Sequence, residues 1–154
     1  MKLSVLLSVF CSTILSFSVP TKQLVRFVLI AMESVSFKGI AGDRAPMRFV
    51  RFWISSFQIF YTSPTHLTMG IVNLHPIIPG HVLIVPWQVA PLPSDLTEEE
   101  YQYLWGSVWE IKGTFQSQYY SRGFNIAVQN GPAAGLSVLH INVHILPIND
   151  VNLD

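Results

Sequence analysis

Two histidines and an asparagine alternate with apolar residues near the end of the chain. His140, Asn142 and His144 are separated by Ile141 and Val143. Successive side chains of a strand point to opposite faces, so this alternation predicts a strand over residues 138–147 with its polar groups in one row. A row of imidazole and carboxamide groups on a half-buried strand is a candidate reaction surface.

A metal site is the natural alternative for such a row. Residues two apart on a strand lie about 6.6 Å from each other, and residues four apart about 13 Å. A zinc ion holds its nitrogen ligands at about 2 Å, so His140 and His144 on one strand could not share it. The spacing therefore predicts no metal site here.

The elements that would position these residues form an α+β pattern. Strands are predicted over residues 57–61, 66–73, 82–86, 124–129 and 138–147, the first two forming a hairpin around Pro64 and the third lying centrally. Thr97 and Glu100 have capping-box spacing at the start of a long helix. Its apolar stripe would consist of Tyr101, Leu104, Val108, Ile111 and Phe115. We expect a mostly antiparallel sheet crossed by one long helix.

Composition limits the function classes. The chain has 154 residues, half of them apolar, which suits one ordinary core. Formal charge balances to zero without a basic run, so no nucleic-acid partner is predicted. The single Cys11 cannot form an internal disulfide. The apolar run 3–17 is too short to predict a stable membrane span.

The beginning of the chain allows several interpretations. Lys2 and the apolar run after it have the layout of a secretory signal in residues 1–20. The true start could also lie at Met32 or Met47, because residues 21–46 show no hydrophobic period. We therefore treat 1–46 as an N-terminal extension and 47–154 as the folded domain.

Three ordered motifs carry a family resemblance. Residues 72–83 contain Asn73 and His81, residues 129–135 begin with Gln129, and residues 140–146 contain the alternating row. Together they resemble the histidine triad family, in its fragile histidine triad branch of dinucleoside triphosphate hydrolases. The similarity covers about residues 51–147. It implies the histidine-triad fold, a homodimer and a cytoplasmic or nuclear protein, whereas a genuine signal peptide would imply secretion.

The resemblance implies catalytic roles for the alternating row. The family's middle histidine attacks the α-phosphorus and forms a nucleotidyl-histidine, and Asn142 stands at that position. Because a carboxamide nitrogen is delocalised into its carbonyl, Asn142 is not a nucleophile. His144 matches the histidine that contacts phosphate near the bridging oxygen, and His140 and His81 match its supporting partners.

The resemblance also implies the binding residues. Asn73 would contact ribose and Gln129 phosphate. A loop would wrap phosphate oxygens with backbone amides and a hydroxyl; it comprises Gly135, Leu136, Ser137 and Val138. Leu136 replaces the family's usual glutamine and so removes a donor. Basic residues that the family often has after the last strand are replaced by Ile148 and Asn149, and the chain ends at Asp154, so the domain is predicted to be truncated.

These features predict a protein that binds purine nucleotides or dinucleoside polyphosphates with little or no turnover. No cofactor would be tightly bound, although divalent Mg or Mn could accompany the substrate phosphates. One alternative is a working hydrolase that releases a nucleoside monophosphate and a diphosphate, with histidine as the true residue 142. Another is a secreted interaction protein with an aromatic surface formed by tryptophans that are otherwise predicted in the core or at a dimer surface, namely Trp53, Trp87, Trp105 and Trp109.

Overall fold

A computed structural model describes residues 47–49, 52–55, 58–119 and 121–148. The extension 1–46, with its signal-like segment, lies outside this part of the chain. A short antiparallel pair, β1 (Met47–Phe49) and β2 (Phe52–Ile54), precedes the main sheet. The main sheet contains β3 (Ile59–Thr62), β4 (Thr68–Val72), β5 (Val82–Pro86), β6 (Gly123–Val128) and β7 (Val143–Ile148).

The five strands run antiparallel in the order β3-β4-β5-β7-β6. Strand β5 therefore lies at the centre, as its continuous apolar run predicts. Strands β3 and β4 form the expected hairpin, and its turn is held by the Ser63 hydroxyl, which accepts hydrogen bonds from the amides of Leu67 and Thr68. The α+β prediction is confirmed, with one long helix, α1 (Glu98–Tyr119), between β5 and β6.

Helix α1 begins with the predicted capping box. The Thr97 hydroxyl accepts from the Glu100 amide at 3.2 Å, and a Glu100 carboxylate oxygen accepts from the Thr97 amide at 2.8 Å. This reciprocal bonding draws Glu100 inward, where it is buried. Tyr101 instead lies 42% exposed, so its assignment to the apolar stripe is wrong. No helix among the described residues is long and apolar enough to cross a membrane.

Apolar clusters lie on both faces of the sheet. On one face, Val82, Ile84, Val143 and Ile145 pack with buried residues of α1, namely Leu104, Val108, Ile111 and Phe115. On the other face, Met69, Ile71 and Val85 pack with Ile54 and Ile59, and Leu83 and Val138 lie against this cluster. The sheet therefore has one face covered by the helix and a second face on which polar residues can be placed.

The tryptophans differ in their surroundings. Trp105 is partly buried against the helix-side core, whereas Trp87 is 39% and Trp109 58% exposed. The side chain of Trp53 lies outside the described part of the structure. Core packing therefore accounts for Trp105, and the surface positions of Trp87 and Trp109 leave the predicted dimer surface as a hypothesis.

The last strand is shorter than its sequence pattern predicts. Strand β7 begins at Val143, because the Ile141 amide donates to Ala90 O and the His140 amide to Val138 O, each at 2.7 Å, instead of joining a ladder. Pro86, at the end of β5, has no amide hydrogen to extend the pairing. His140 and Asn142 thus precede the strand, and the strand-spacing argument against a shared metal does not apply to them. Leu139, the apolar residue before His140 in the alternating pattern, is 59% exposed.

Candidate functional site

Two histidines meet on the sheet face opposite α1. In the register, His144 of β7 pairs with Leu83 of β5, and Leu83 packs in the cluster on that face. His81, just before β5, places its Nε2 atom 2.9 Å from Nδ1 of His144. The two rings are tilted by 33° with their centroids 5.1 Å apart. The sheet thus joins residues that are 63 positions apart in the sequence.

The hydrogen bonds around the His81–His144 pair define the tautomer of each neutral ring. The amide of Ile77 donates to Nδ1 of His81 at 3.2 Å, and the Asn73 side-chain nitrogen lies 3.3 Å from the same atom. Since Nδ1 of His81 accepts, a neutral ring carries its hydrogen on Nε2 and donates it to His144. Nδ1 of His144 then accepts, so the hydrogen of a neutral His144 lies on Nε2.

Burial keeps these rings neutral. Desolvation, with the nearby His144 acting in the same direction, lowers the pKa of His81 to about 4. Desolvation also lowers the pKa of His144. The pKa of His140 is lowered by burial as well, although the hydrogen bond between its Nε2 and Pro86 O opposes this shift. At neutral pH the site therefore presents imidazole groups rather than imidazolium cations.

Asn142 is oriented by the histidine two residues earlier. Its Nδ2 atom donates to the backbone oxygen of His140 at 3.1 Å, and the residue is 7% exposed. A flipped amide would place Oδ1 against the same carbonyl oxygen, so the observed orientation is the only one that forms this bond. The side-chain oxygen Oδ1 therefore points away from His140 as an acceptor.

A glycine loop lies at the adjoining end of β6. Val128, the last residue of β6, pairs with Val143, so Gln129 is placed at the same end of the sheet as Asn142. The loop folds through a 3-10 turn at Pro132–Ala134, and Gly135 takes a φ of +90°. An added Cβ at Gly135 would lie 2.9 Å from Nε2 of Gln129. Gly135 thus permits a close approach of the loop to the Gln129 side chain.

The remaining loop residues have different surroundings. The amides of Ala134, Gly135 and Leu136 donate to carbonyl oxygens within the loop. The Leu136 side chain is buried, Ser137 is exposed and Val138 is partly buried. In the predicted phosphate-binding loop, the amides of Gly135 and Leu136 are therefore used by the loop's own turns. The amides of Ser137 and Val138 are not used in this way.

The structure therefore joins the predicted site residues in three groups: Asn73 with His81 and His144, His140 with Asn142, and Gln129 with Gly135. Sequence reasoning missed Ile77 and Pro86, which act through backbone atoms and carry no side-chain signal. His75 is exposed. Within the described ranges, no group of three or more His, Cys, Asp or Glu residues could hold a metal ion.

Comparison with known proteins identifies the family of this chain. The family model described as HIT domain matches residues 56–151. The chain belongs to the histidine triad (HIT) family. Its HIT domain is similar to the bis(5'-adenosyl)-triphosphatase of Dictyostelium discoideum, with 40% identity over 58% of this chain and 59% of the relative. It is 42% identical to the bis(5'-adenosyl)-triphosphatase of Saccharomyces cerevisiae strain S288c over 70% of this chain and 51% of that protein. These similarities place it in the fragile histidine triad branch.

Solved structures agree with this assignment. The NitFhit protein of C. elegans superimposes with a TM-score of 0.67 and 33% identity, over 71% of this chain and 26% of that one. The Plasmodium falciparum diadenosine triphosphate hydrolase superimposes with a TM-score of 0.59 and 26% identity, over 82% of each chain. The chain spans about half the length of the curated relatives it matches.

Proposed function

We propose that this HIT domain binds purine nucleotides or dinucleoside polyphosphates and turns them over slowly or not at all. The orientation of Asn142 carries the proposal. In the family the corresponding histidine attacks phosphorus through a ring nitrogen lone pair. The only nitrogen of the Asn142 side chain is an amide nitrogen, and it donates to His140 O. It has no lone pair with which to form a phosphorus–nitrogen bond.

The neutral His144 supports binding. With its hydrogen on Nε2, this ring can donate to a phosphate oxygen, as the family resemblance expects near the bridging oxygen. The hydrogen bond from His81 maintains this tautomer of His144, and Asn73 contacts His81 in turn. The side-chain oxygen of Asn73 also accepts a hydrogen bond from the His75 amide, which closes a turn at this position. We expect this turn to be formed already when Asn73 contacts a ribose.

The glycine loop supplies further donors. We expect the Gln129 amide, the Ser137 hydroxyl and the amides of Ser137 and Val138 to contact phosphate oxygens, because amide donors in a tight loop favour anions. Divalent Mg or Mn would enter with the substrate phosphates. The Leu136 side chain, packed inward, contributes no donor.

We also propose that two copies of the chain form a homodimer. Within the described sheet, β6 is an edge strand six residues long, and half-buried and exposed residues alternate along most of it. Such an edge can pair with another strand. Light scattering of the full chain tests the proposed homodimer, and a monomeric mass at micromolar concentration would contradict it.

Binding and turnover separate the candidate functions. Calorimetric titration with diadenosine triphosphate should show saturable binding, and steady-state assays should show little release of monophosphate and diphosphate. Asn142→His should raise hydrolysis by several powers of ten, since losing a nucleophile of a catalytic unit costs on the order of 10⁶. Asn142→Gln is the matched control, because it changes the side chain without supplying a nucleophile.

Each outcome has a separate meaning. Absence of nucleotide binding would refute the nucleotide-site proposal as a whole. Rapid hydrolysis by the chain as it stands would favour a working hydrolase with another nucleophile.

A further inference from the structure

Oδ1 of Asn142 and Nε2 of His144 are buried and have no hydrogen-bond partner within the described part of the chain. The other polar atom of each side chain is engaged, since Asn142 Nδ2 donates to His140 O and His144 Nδ1 accepts from His81. Both side chains are thus held in place with one polar atom uncommitted. Both atoms are shielded from solvent, which increases the cost of leaving them unpaired.

The two atoms have opposite hydrogen-bonding roles. A carboxamide oxygen only accepts, whereas Nε2 of His144 carries the hydrogen in the tautomer that His81 imposes. A group that satisfies both must contain one donor and one acceptor. A fully deprotonated phosphate has only acceptors, so it would pair with His144 and face Oδ1 of Asn142 oxygen to oxygen.

Cationic side chains do not alter this requirement. Of the lysine and arginine side chains that the structure describes, Lys112 lies on α1, bonded to Gln116 and above the Phe124 ring. Arg122 precedes β6, at the end of the strand remote from Gln129. The selectivity of the position is therefore governed by hydrogen-bond complementarity.

We propose that the Asn142–His144 pair selects a phosphate monoester in its singly protonated form, whose P–OH donates to Asn142 Oδ1 while a second oxygen accepts from His144 Nε2. This inference rests on the proposed nucleotide site and specifies its ligand. The preferred group at this position is the terminal phosphate of a nucleoside monophosphate. An internal phosphate of a dinucleoside polyphosphate has no titratable proton near neutral pH and cannot supply the donor.

The pairing changes the titration of the bound phosphate. The second pKa of a phosphate monoester is about 6 in water. A hydrogen bond that only the protonated form can make raises this pKa on binding. A rise of about one unit corresponds to affinity about tenfold higher for the monoanion than for the dianion. The affinity for a nucleoside monophosphate should therefore increase several-fold between pH 8 and pH 5.5.

The histidines require a control. His81, His140 and His144 are the titratable groups that the described elements bring to this position, and Gln129 and Ser137 from β6 and the loop do not titrate in this range. Protonation of any of these histidines would strengthen the binding of every anion. Adenosine 5'-sulfate separates the two causes, because it keeps one negative charge and has no proton to lose between pH 5.5 and pH 8.

The experiment is a ³¹P NMR titration of adenosine monophosphate bound to the full chain, paired with calorimetric titrations of the monophosphate and the sulfate at each pH. We expect a bound phosphate pKa near 7, an affinity for the monophosphate that rises as pH falls, and an affinity for the sulfate that stays constant. Asn142→Ala, which lacks the acceptor, should return the bound phosphate pKa to about 6. Circular dichroism at each pH checks that the protein remains folded.

Several results would overturn the inference. A bound phosphate pKa at or below 6 would show that no donor to Asn142 is selected, while nucleotide binding itself would still support the proposed function. An equal rise for sulfate and phosphate would assign the effect to histidine protonation. Failure of both ligands to bind would refute the proposed function and this inference with it.

Discussion

Replacing His81 by glutamine should flatten the pH dependence of stability between pH 7 and pH 5. His81 is 1% exposed, and burial, assisted by the nearby His144, lowers its pKa to about 4. An unfolded chain restores a value of about 6.5. Because the unfolded state then binds the proton more readily, acid favours unfolding through this residue.

The sign and size follow from the two pKa values. Well above pH 6.5 the ring is neutral in both states, so stability hardly changes with pH through His81. Between pH 6.5 and about 4 the unfolded chain takes up a proton that the folded chain does not, and stability falls. At pH 5 the loss is about 2 kcal/mol, and it approaches about 3 kcal/mol below pH 4, with each pKa unit equal to about 1.4 kcal/mol.

Urea unfolding of the parent chain and of His81→Gln at pH 5 and pH 7 measures this difference. Glutamine is of similar size, can still donate and accept hydrogen bonds, and does not titrate in this range. His140 and His144, with lowered pKa values of their own, contribute to acid sensitivity in both proteins, and the glutamine amide can keep a hydrogen bond to Nδ1 of His144, so the difference between the two proteins reports mainly on His81. Equal losses of stability in the two proteins on acidification, or a parent chain that is more stable at pH 5 than at pH 7, would refute the assignment of a buried neutral ring.

Two further predictions concern the chain's extension and the glycine loop. A shortened chain that begins at Met47 should unfold on heating as cooperatively as the full chain, because the HIT-domain match begins at residue 56 and residues 21–46 show no hydrophobic period; loss of a cooperative transition would show that the extension belongs to the core. Gly135→Val should weaken the binding of a nucleoside monophosphate while leaving the fold largely intact, since its Cβ would meet Gln129 in a left-handed backbone conformation. Gly131→Ala is the control, because it strains a similar φ of +88° with open space around its Cβ; equal effects of both variants would attribute the loss to backbone strain alone.

Much of the fold follows from local sequence patterns. The capping box at Thr97 and the apolar spacing from Leu104 to Phe115 identify α1, because both signals depend on residues within a few turns of one another. The apolar run 82–86 similarly predicts the central position of β5, because a strand covered on both faces needs no polar side.

The start of β7 could not be obtained in this way. Alternation from Leu139 onward satisfies a strand pattern, yet the Ile141 amide finds Ala90 O and the His140 ring finds Pro86 O. These partners lie about fifty residues earlier in the sequence and act through backbone oxygens. The prediction that Tyr101 belongs to the apolar stripe was wrong for a local reason, since the buried Glu100 occupies the inward side of the first helical turn.

The site shows the same division. Residue types and order in the three motifs point to Asn73, His81 and His144, and the structure joins them through hydrogen bonds. The tautomers of the two rings could not be predicted, because the Ile77 amide that fixes them has no side-chain signature. The direction of the Asn142 side chain depends likewise on a backbone carbonyl.

The central claim is that Asn142 occupies the nucleophile's position and cannot act as one. Rapid-quench labelling with a diadenosine triphosphate that carries ³²P at the α-phosphate tests it most directly, with the parent chain and Asn142→His examined side by side. We predict a labelled nucleotidyl adduct on residue 142 of the histidine variant and no adduct on the parent chain. A covalent adduct on the parent chain, or turnover by the parent at the variant's rate, would contradict the claim.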